Sequence, residues 1–83
     1  MKAIKIINAK YLGAYKILLT FNDNHTRIID FSDLLNSSPY KNERKFINIE
    51  LFQQFKLELG DLIWNDYDMC FQAKNLRKGI LRK

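Results

Sequence analysis

The chain has 83 residues, 47% of them apolar, with 14 Lys and Arg against 9 Asp and Glu for a formal net charge of +5, and a single Pro and a single Cys. A domain of this size must commit nearly every large apolar side chain to one shared core, which argues against a second domain and against a deep enclosed pocket. The longest apolar runs, such as Ile17-Leu18-Leu19 and Leu62-Ile63-Trp64, fall far short of the roughly 20 residues of a membrane span. Lys2, Lys5, Asn8 and Lys10 break up any secretory leader, so no membrane partner is expected and the cytoplasm is the expected compartment.

In chain order, Ile4, Ile6 and Ile7 open a first strand over about 3–11, and Gly13 marks a bend or bulge after it. Tyr15, Ile17, Leu19 and Phe21 then recur at every second residue, the period that turns one side of a strand, about 14–21, toward a core. Asn22-Asp23-Asn24-His25 supplies residues that tolerate a left-handed backbone, and the β-branched pattern resumes over about 26–31 to complete a hairpin. Ser32 offers a capping hydroxyl for one short helical turn that Asn36-Ser37-Ser38-Pro39 stops, and Lys41 to Lys45 reads as a charged loop. Ile47, Leu51, Phe52 and Phe55 fall on one helical stripe, which predicts a main helix over about 48–55 with Asn48 as its N-cap and Glu50 in its first turn.

A second hairpin follows in strands of about 56–59 and 62–65 around Gly60-Asp61, then a brief strand at 69–71. Gln72 to Arg77 makes a closing turn with Gly79 as C-cap, and residues 77–83 are expected to fray. The predicted class is α+β, a single small domain in which an antiparallel sheet of two hairpin regions packs against one main helix.

Charge is uneven. Lys2, Lys5, Lys10 and Lys16 stand in an amino-terminal stretch without acids, all nine acids lie between Asp23 and Asp68, and Lys74, Arg77, Lys78, Arg82 and Lys83 close the chain without one. A basic end can grip phosphates, so these five residues, with the early lysines and Arg27, are the candidate nucleic-acid contacts. Ten isoleucines, eight asparagines and no valine point instead to a compositional bias that supplies lysine without any ligand.

Chemistry-bearing groups are scarce. His25 is the single histidine and sits in a turn, so neither a zinc site nor a Ser–His or Cys–His arrangement can be assembled around a second one. Glycines at 13, 60 and 79 are too scattered to cradle a phosphate. Asp61, Asp66 and Asp68 form one carboxylate cluster, but such residues are what turns are made of, and the spacing lacks the pattern of a calcium loop. Cys70, between Met69 and Phe71, reads as a small buried hydrophobe. Trp64 with Phe46, Phe52, Phe55, Tyr67 and Phe71 reads as core more readily than as a base-stacking platform, because the acids around it would repel phosphates. No catalytic residue, metal or cofactor is expected.

Laid end to end, Tyr15-x-Ile17-x-Leu19-x-Phe21, Asn22-Asp23-Asn24, Ile29-Asp30-Phe31-x-x-Leu34-Leu35, Phe52-x-x-Phe55-x-Leu57 and Leu62-Ile63-Trp64-x-x-x-Asp68 resemble domain-of-unknown-function family 2442, over roughly Ala3 to Leu76. Asn24 stands where that family usually has a turn glycine, and Asn65 where a proline often follows its Trp; both are turn positions. The resemblance implies a short cytoplasmic α+β protein without established catalytic residues, often encoded beside another small uncharacterised protein, the two having been suggested to act as a toxin and its neutraliser. The leading expectation is therefore a non-catalytic protein-interaction module. Its docking surface would be a sheet edge or an exposed face of the Phe46–Phe55 region, with a carboxylate-rimmed apolar surface at Trp64, Asp66 and Asp68. The alternative is a small basic nucleic-acid-binding protein. Unpaired edge strands also put a homodimer within reach.

Overall fold

The computed structural model describes residues 3–65 and 68–81. The first three strands are β1 (Ile6–Gly13), β2 (Lys16–Phe21) and β3 (Thr26–Asp30), joined in an antiparallel sheet of that order. β2 alternates cleanly, with Ile17, Leu19 and Phe21 fully buried as the two-residue period requires. The β2–β3 connection, Asn22-Asp23-Asn24, ends on Asn24 at φ +68°, so asparagine supplies the left-handed residue that a glycine would otherwise provide.

The predicted second strand begins too early. Gly13 pairs with Lys16, and Ala14 and Tyr15 between them both have positive φ, 52° and 63°, so they form a tight primed turn. A tyrosine in that conformation is strained, and two contacts hold it there. Its ring meets Phe52 edge-on at 5.3 Å and its hydroxyl donates to the Ile47 carbonyl. The apolar period runs through the turn because Tyr15, although outside the strand, still packs against the core.

The middle of the chain also differs from the expected single helix. Helix α1 (Ser32–Ser37) is followed by α2 (Lys41–Arg44), a 3-10 turn (Lys45–Ile47) and α3 (Ile49–Phe52). The segment expected as a loop is thus helical, and the expected main helix is a single turn. Asn48 explains the break: its side chain accepts from the amides of Glu50 and Leu51, as predicted, and that cap requires the extended backbone it has, φ −65° and ψ 116°. Phe55 leaves the helical stripe because it pairs with Trp64 across a second sheet. Ser32 is not the cap of α1. It is the first helical residue, and both its amide and its hydroxyl donate to the Asp30 carboxylate, at 2.9 and 2.7 Å.

The second sheet contains β4 (Phe55–Glu58), β5 (Asp61–Trp64) and β6 (Met69–Phe71), again antiparallel in sequence order. The fold is α+β as expected, and its two hairpin regions form two three-stranded antiparallel sheets. They adjoin where β1 runs beside β4, and the Ile6 amide donates to the Gly60 carbonyl at 2.8 Å. Between them lies one core of Ile17, Leu19, Phe21 and Phe31 from the first half and Leu62, Trp64 and Phe71 from the second, closed by Leu35, Phe46, Phe52 and Leu76.

The closing helix α4 (Ala73–Arg77) ends as predicted on Gly79, at φ +77°. The Gly79 amide bonds to the Leu76 carbonyl and the Ile80 amide to that of Asn75, the paired bonds of a Schellman cap. Within the stretch expected to fray, Arg77 donates to Asp23 and its carbonyl accepts from Arg27. Among the described residues no helix is long and apolar enough to cross a membrane.

Candidate interaction surface

Trp64 belongs to the interior. It is fully buried, its indole is surrounded by Phe31, Phe46, Phe52, Phe55 and Phe71, and its Nε1 donates to the Phe52 carbonyl at 2.7 Å. It is therefore not part of an exposed docking surface, and the reading of this aromatic group as core is the one that holds. Phe46 and Phe52 are buried with it, so the surface expected over 46–55 is reduced to Ile47 and Ile49. Asp66, with Tyr67, lies outside the described residues. Asp68 accepts from the Lys45 ammonium and, at 2.7 Å, from Asn65 Nδ2, and these bonds hold its carboxyl below the ordinary carboxylate range.

Asp61 points elsewhere and does not join Asp68 in one site. Its carboxylate accepts from the Ala73 amide at 2.9 Å, so a strand residue caps the first turn of α4, where Gln72 offers no side-chain bond. Among the described residues no group of three His, Cys, Asp or Glu is placed to hold a metal. Cys70 is half-buried, and burial, with the nearby charges of Asp61 and Glu58, pushes its thiol pKa up, away from thiolate chemistry.

Among the described residues the fold brings Arg27 and Arg77 together at the end of α4 and engages both in hydrogen bonds. Arg77 Nε donates to Asp23 at 3.2 Å, and its guanidinium stands 6.0 Å over the Phe21 ring. Arg27 Nε donates to the Arg77 carbonyl at 3.1 Å, placing a cation at the end of α4 where the helix dipole favours it. Lys16 lies opposite Asp30, and the stem of Lys5 packs at Gly60. Lys74 on α4 and Lys78 at its C-cap are exposed; Lys2, Arg82 and Lys83 lie outside the described residues. His25 is tied to Asp23, its amide at 3.1 Å and its Nδ1 at 3.2 Å from the carboxylate.

What the structure leaves open is the outer face of the first sheet. Lys10, Leu18 and Ile28 lie in one row across β1, β2 and β3, flanked by Asn8, Thr20 and Thr26 on one side and by Lys16 and Asp30 on the other. Ile28 in that row is 58% exposed, and Ile7 and Leu12, at the two irregular positions of β1, are 58% and 44% exposed. The reading of the strands by their buried period passed over this face. The signal was present in Leu12, Leu18 and Ile28, apolar residues standing in the phase that alternation reserves for polar ones. A cavity of about 640 Å³ opens elsewhere, beside the turn from α1 to α2, lined by Leu34, Ser38, Tyr40, Glu43, Asp68 and Leu81. Ser38 there donates its hydroxyl to the buried Glu43 carboxylate at 2.5 Å.

Residues 6–82 match the model of a family described as protein of unknown function DUF2442, and the chain belongs to that family. Among curated proteins and among solved structures, none matches it.

Proposed function

We propose that this member of the family is a non-catalytic protein-interaction module of the cytoplasm, whose partner is another small protein encoded by an adjacent gene, and that it neutralises that partner as one half of a toxin–antitoxin-like pair. The observation that supports this reading is the outer face of the first sheet, where Ile28 stands exposed in one row with Leu18 and Lys10 and beside Lys16, with Ile7 and Leu12 also exposed on β1. A partner that fits this face carries an apolar patch rimmed by carboxylates, since burying those side chains is favourable and the lysines select the sign of the surface opposite. Among the described residues the face carries no aromatic side chain for a base to stack on, because Tyr11 and Tyr15 turn inward against Phe52.

Co-expression with the neighbouring gene's product tests the reading. The two proteins should elute together at micromolar concentration, and charge reversal of Lys10 and Lys16 to Glu should weaken the complex about tenfold or more. Separate elution would end the neutraliser reading. If material bound to the chain is instead lost on nuclease treatment and on deleting Arg77 to Lys83, the nucleic-acid reading through Lys74, Arg77, Lys78, Arg82 and Lys83 takes its place.

A further inference from the structure

We infer that β3 is the self-association edge of this protein, and that a second copy of the chain adds its own β3 antiparallel to it across a two-fold axis at Ile28. The inference goes beyond the interaction with a different protein and stands on backbone geometry.

β1, β3, β4 and β6 are the outer strands of the two sheets, and among the described residues three of them are guarded. β1 is bulged between Ile6 and Asn8 and again between Tyr11 and Gly13, and its start is bonded to the Gly60 carbonyl. β4 runs beside β1, and β6 is only three residues long. β3 has none of these devices: it keeps an unbroken register with β2 over all five residues and contains no proline.

The hydrogen-bond phase shows which groups that edge presents. The Phe21 amide donates to the His25 carbonyl at 2.8 Å and the Phe31 amide to the Tyr15 carbonyl at 2.9 Å. Bonded and non-bonded pairs alternate in an antiparallel ladder, so Arg27 and Ile29 turn their backbone groups toward β2. Thr26, Ile28 and Asp30 turn theirs outward. A strand that offers its amides and carbonyls at three alternate residues is met by a copy of itself at all three only when Ile28 faces Ile28, which places Thr26 opposite Asp30 and Asp30 opposite Thr26. Each of these pairs exchanges two backbone bonds.

The side chains agree with that register. Two isoleucines, each 58% exposed, cover one another, a threonine hydroxyl faces a carboxylate, and no like charges stand directly opposite. The result is a six-stranded sheet in which the apolar row of Leu18 and Ile28 continues into its symmetry mate, with Lys10 at either end. The two-fold contact is closed, because each β3 is consumed by the other.

Sedimentation equilibrium of the full chain from about 1 to about 500 micromolar reads the mass directly. The expected result is a shift from the 9.9 kDa of one chain to twice that. In the dimer, hydrogen exchange of the Thr26, Ile28 and Asp30 amides should slow at least tenfold with rising concentration, while Arg27 and Ile29 are protected throughout. Ile28→Lys sets two ammonium groups against each other on an exposed site, and should leave the circular dichroism spectrum unchanged and the protein monomeric. A monomer at every concentration overturns the inference, as does a dimer in which those three amides stay unprotected or that Ile28→Lys leaves intact. Neither outcome bears on co-elution with a different protein.

Discussion

The indole of Trp64 donates to the carbonyl of Phe52, joining the second sheet to the end of α3 by a buried bond of 2.7 Å. The Phe52 carbonyl is one that a helix of one turn leaves without an internal partner, and Trp64 supplies it from β5. Trp64→Phe keeps an aromatic ring in the cluster but strands that carbonyl. Urea unfolding followed by circular dichroism should show a loss of about 1–3 kcal/mol. An unchanged midpoint would mean that the bond contributes nothing.

A second remote cap makes a separable prediction. The Asp61 carboxylate accepts from the amide of Ala73, a residue 1% exposed. Asp61→Ala should cost about 1–2 kcal/mol, as for loss of a helix cap, whereas Asp61→Asn retains an acceptor oxygen and should recover most of it. Equal losses in the two variants would show that charge, not the hydrogen bond, matters at this position.

The β4–β5 turn combines a strained residue with a crowded one. Leu59 has φ +52° and is 90% exposed, so it gains little from burial while its side chain disfavours the left-handed backbone. Leu59→Asn, which creates the Asn-Gly pair favoured in such turns, should raise stability by about 0.5–1 kcal/mol. Gly60→Ala should do the opposite by about 1–2 kcal/mol. Gly60 has φ +86°, and a Cβ there would stand 2.7 Å from Cβ and Cγ of Lys5 and 3.2 Å from its Cα, at the junction of the two sheets. Thermal unfolding of both variants checks the pair of signs.

Acid should destabilise the fold through three carboxylates. The Ser32 hydroxyl and amide, with the charge of Lys16, hold Asp30 below its ordinary value, and Lys45 and Asn65 do the same for Asp68. At Asp23 partial burial pushes the carboxyl up, but the His25 amide and the Arg77 guanidinium outweigh it and the net displacement is downward. Each group binds its proton less tightly folded than unfolded, so its contribution is fully present above the unfolded value near pH 4 and is lost as pH falls through the folded one. Unfolding midpoints measured from about pH 6 down to about pH 2 should fall most steeply below pH 4, and Asp68→Asn should flatten part of that slope. A slope unchanged in Asp68→Asn would remove Asp68 from the account.

Much of the local structure was legible in the sequence because it is encoded within a few residues. The alternation of Ile17, Leu19 and Phe21, the left-handed Asn24, the Asn48 cap and the Gly79 stop each depend on backbone sterics or on a side chain reaching its own next amides. Where the structure departs from the local pattern, a remote contact decides between two locally acceptable conformations. Phe55 satisfies a helical stripe and a strand equally, and pairing with Trp64 chose the strand. Tyr15 continues a strand by period, yet Phe52 and the Ile47 carbonyl hold it in a turn.

The candidate site shows the same division more sharply. Trp64 followed by carboxylates has the composition of a docking surface, and whether it faces solvent depends on the five phenylalanine rings that surround it in space. Arg77 has the charge of a phosphate contact, and Asp23, 54 residues away, engages it.

By itself the sequence determined the α+β class, the membership of the family and the scarcity of reactive groups, since these follow from composition, period and motif. Only the tertiary structure decided which apolar residues were left uncovered and which charges were already matched. Burial and ion pairing depend on side chains distant in the chain coming within a few ångströms of one another, and no stretch of neighbouring residues carries that distance.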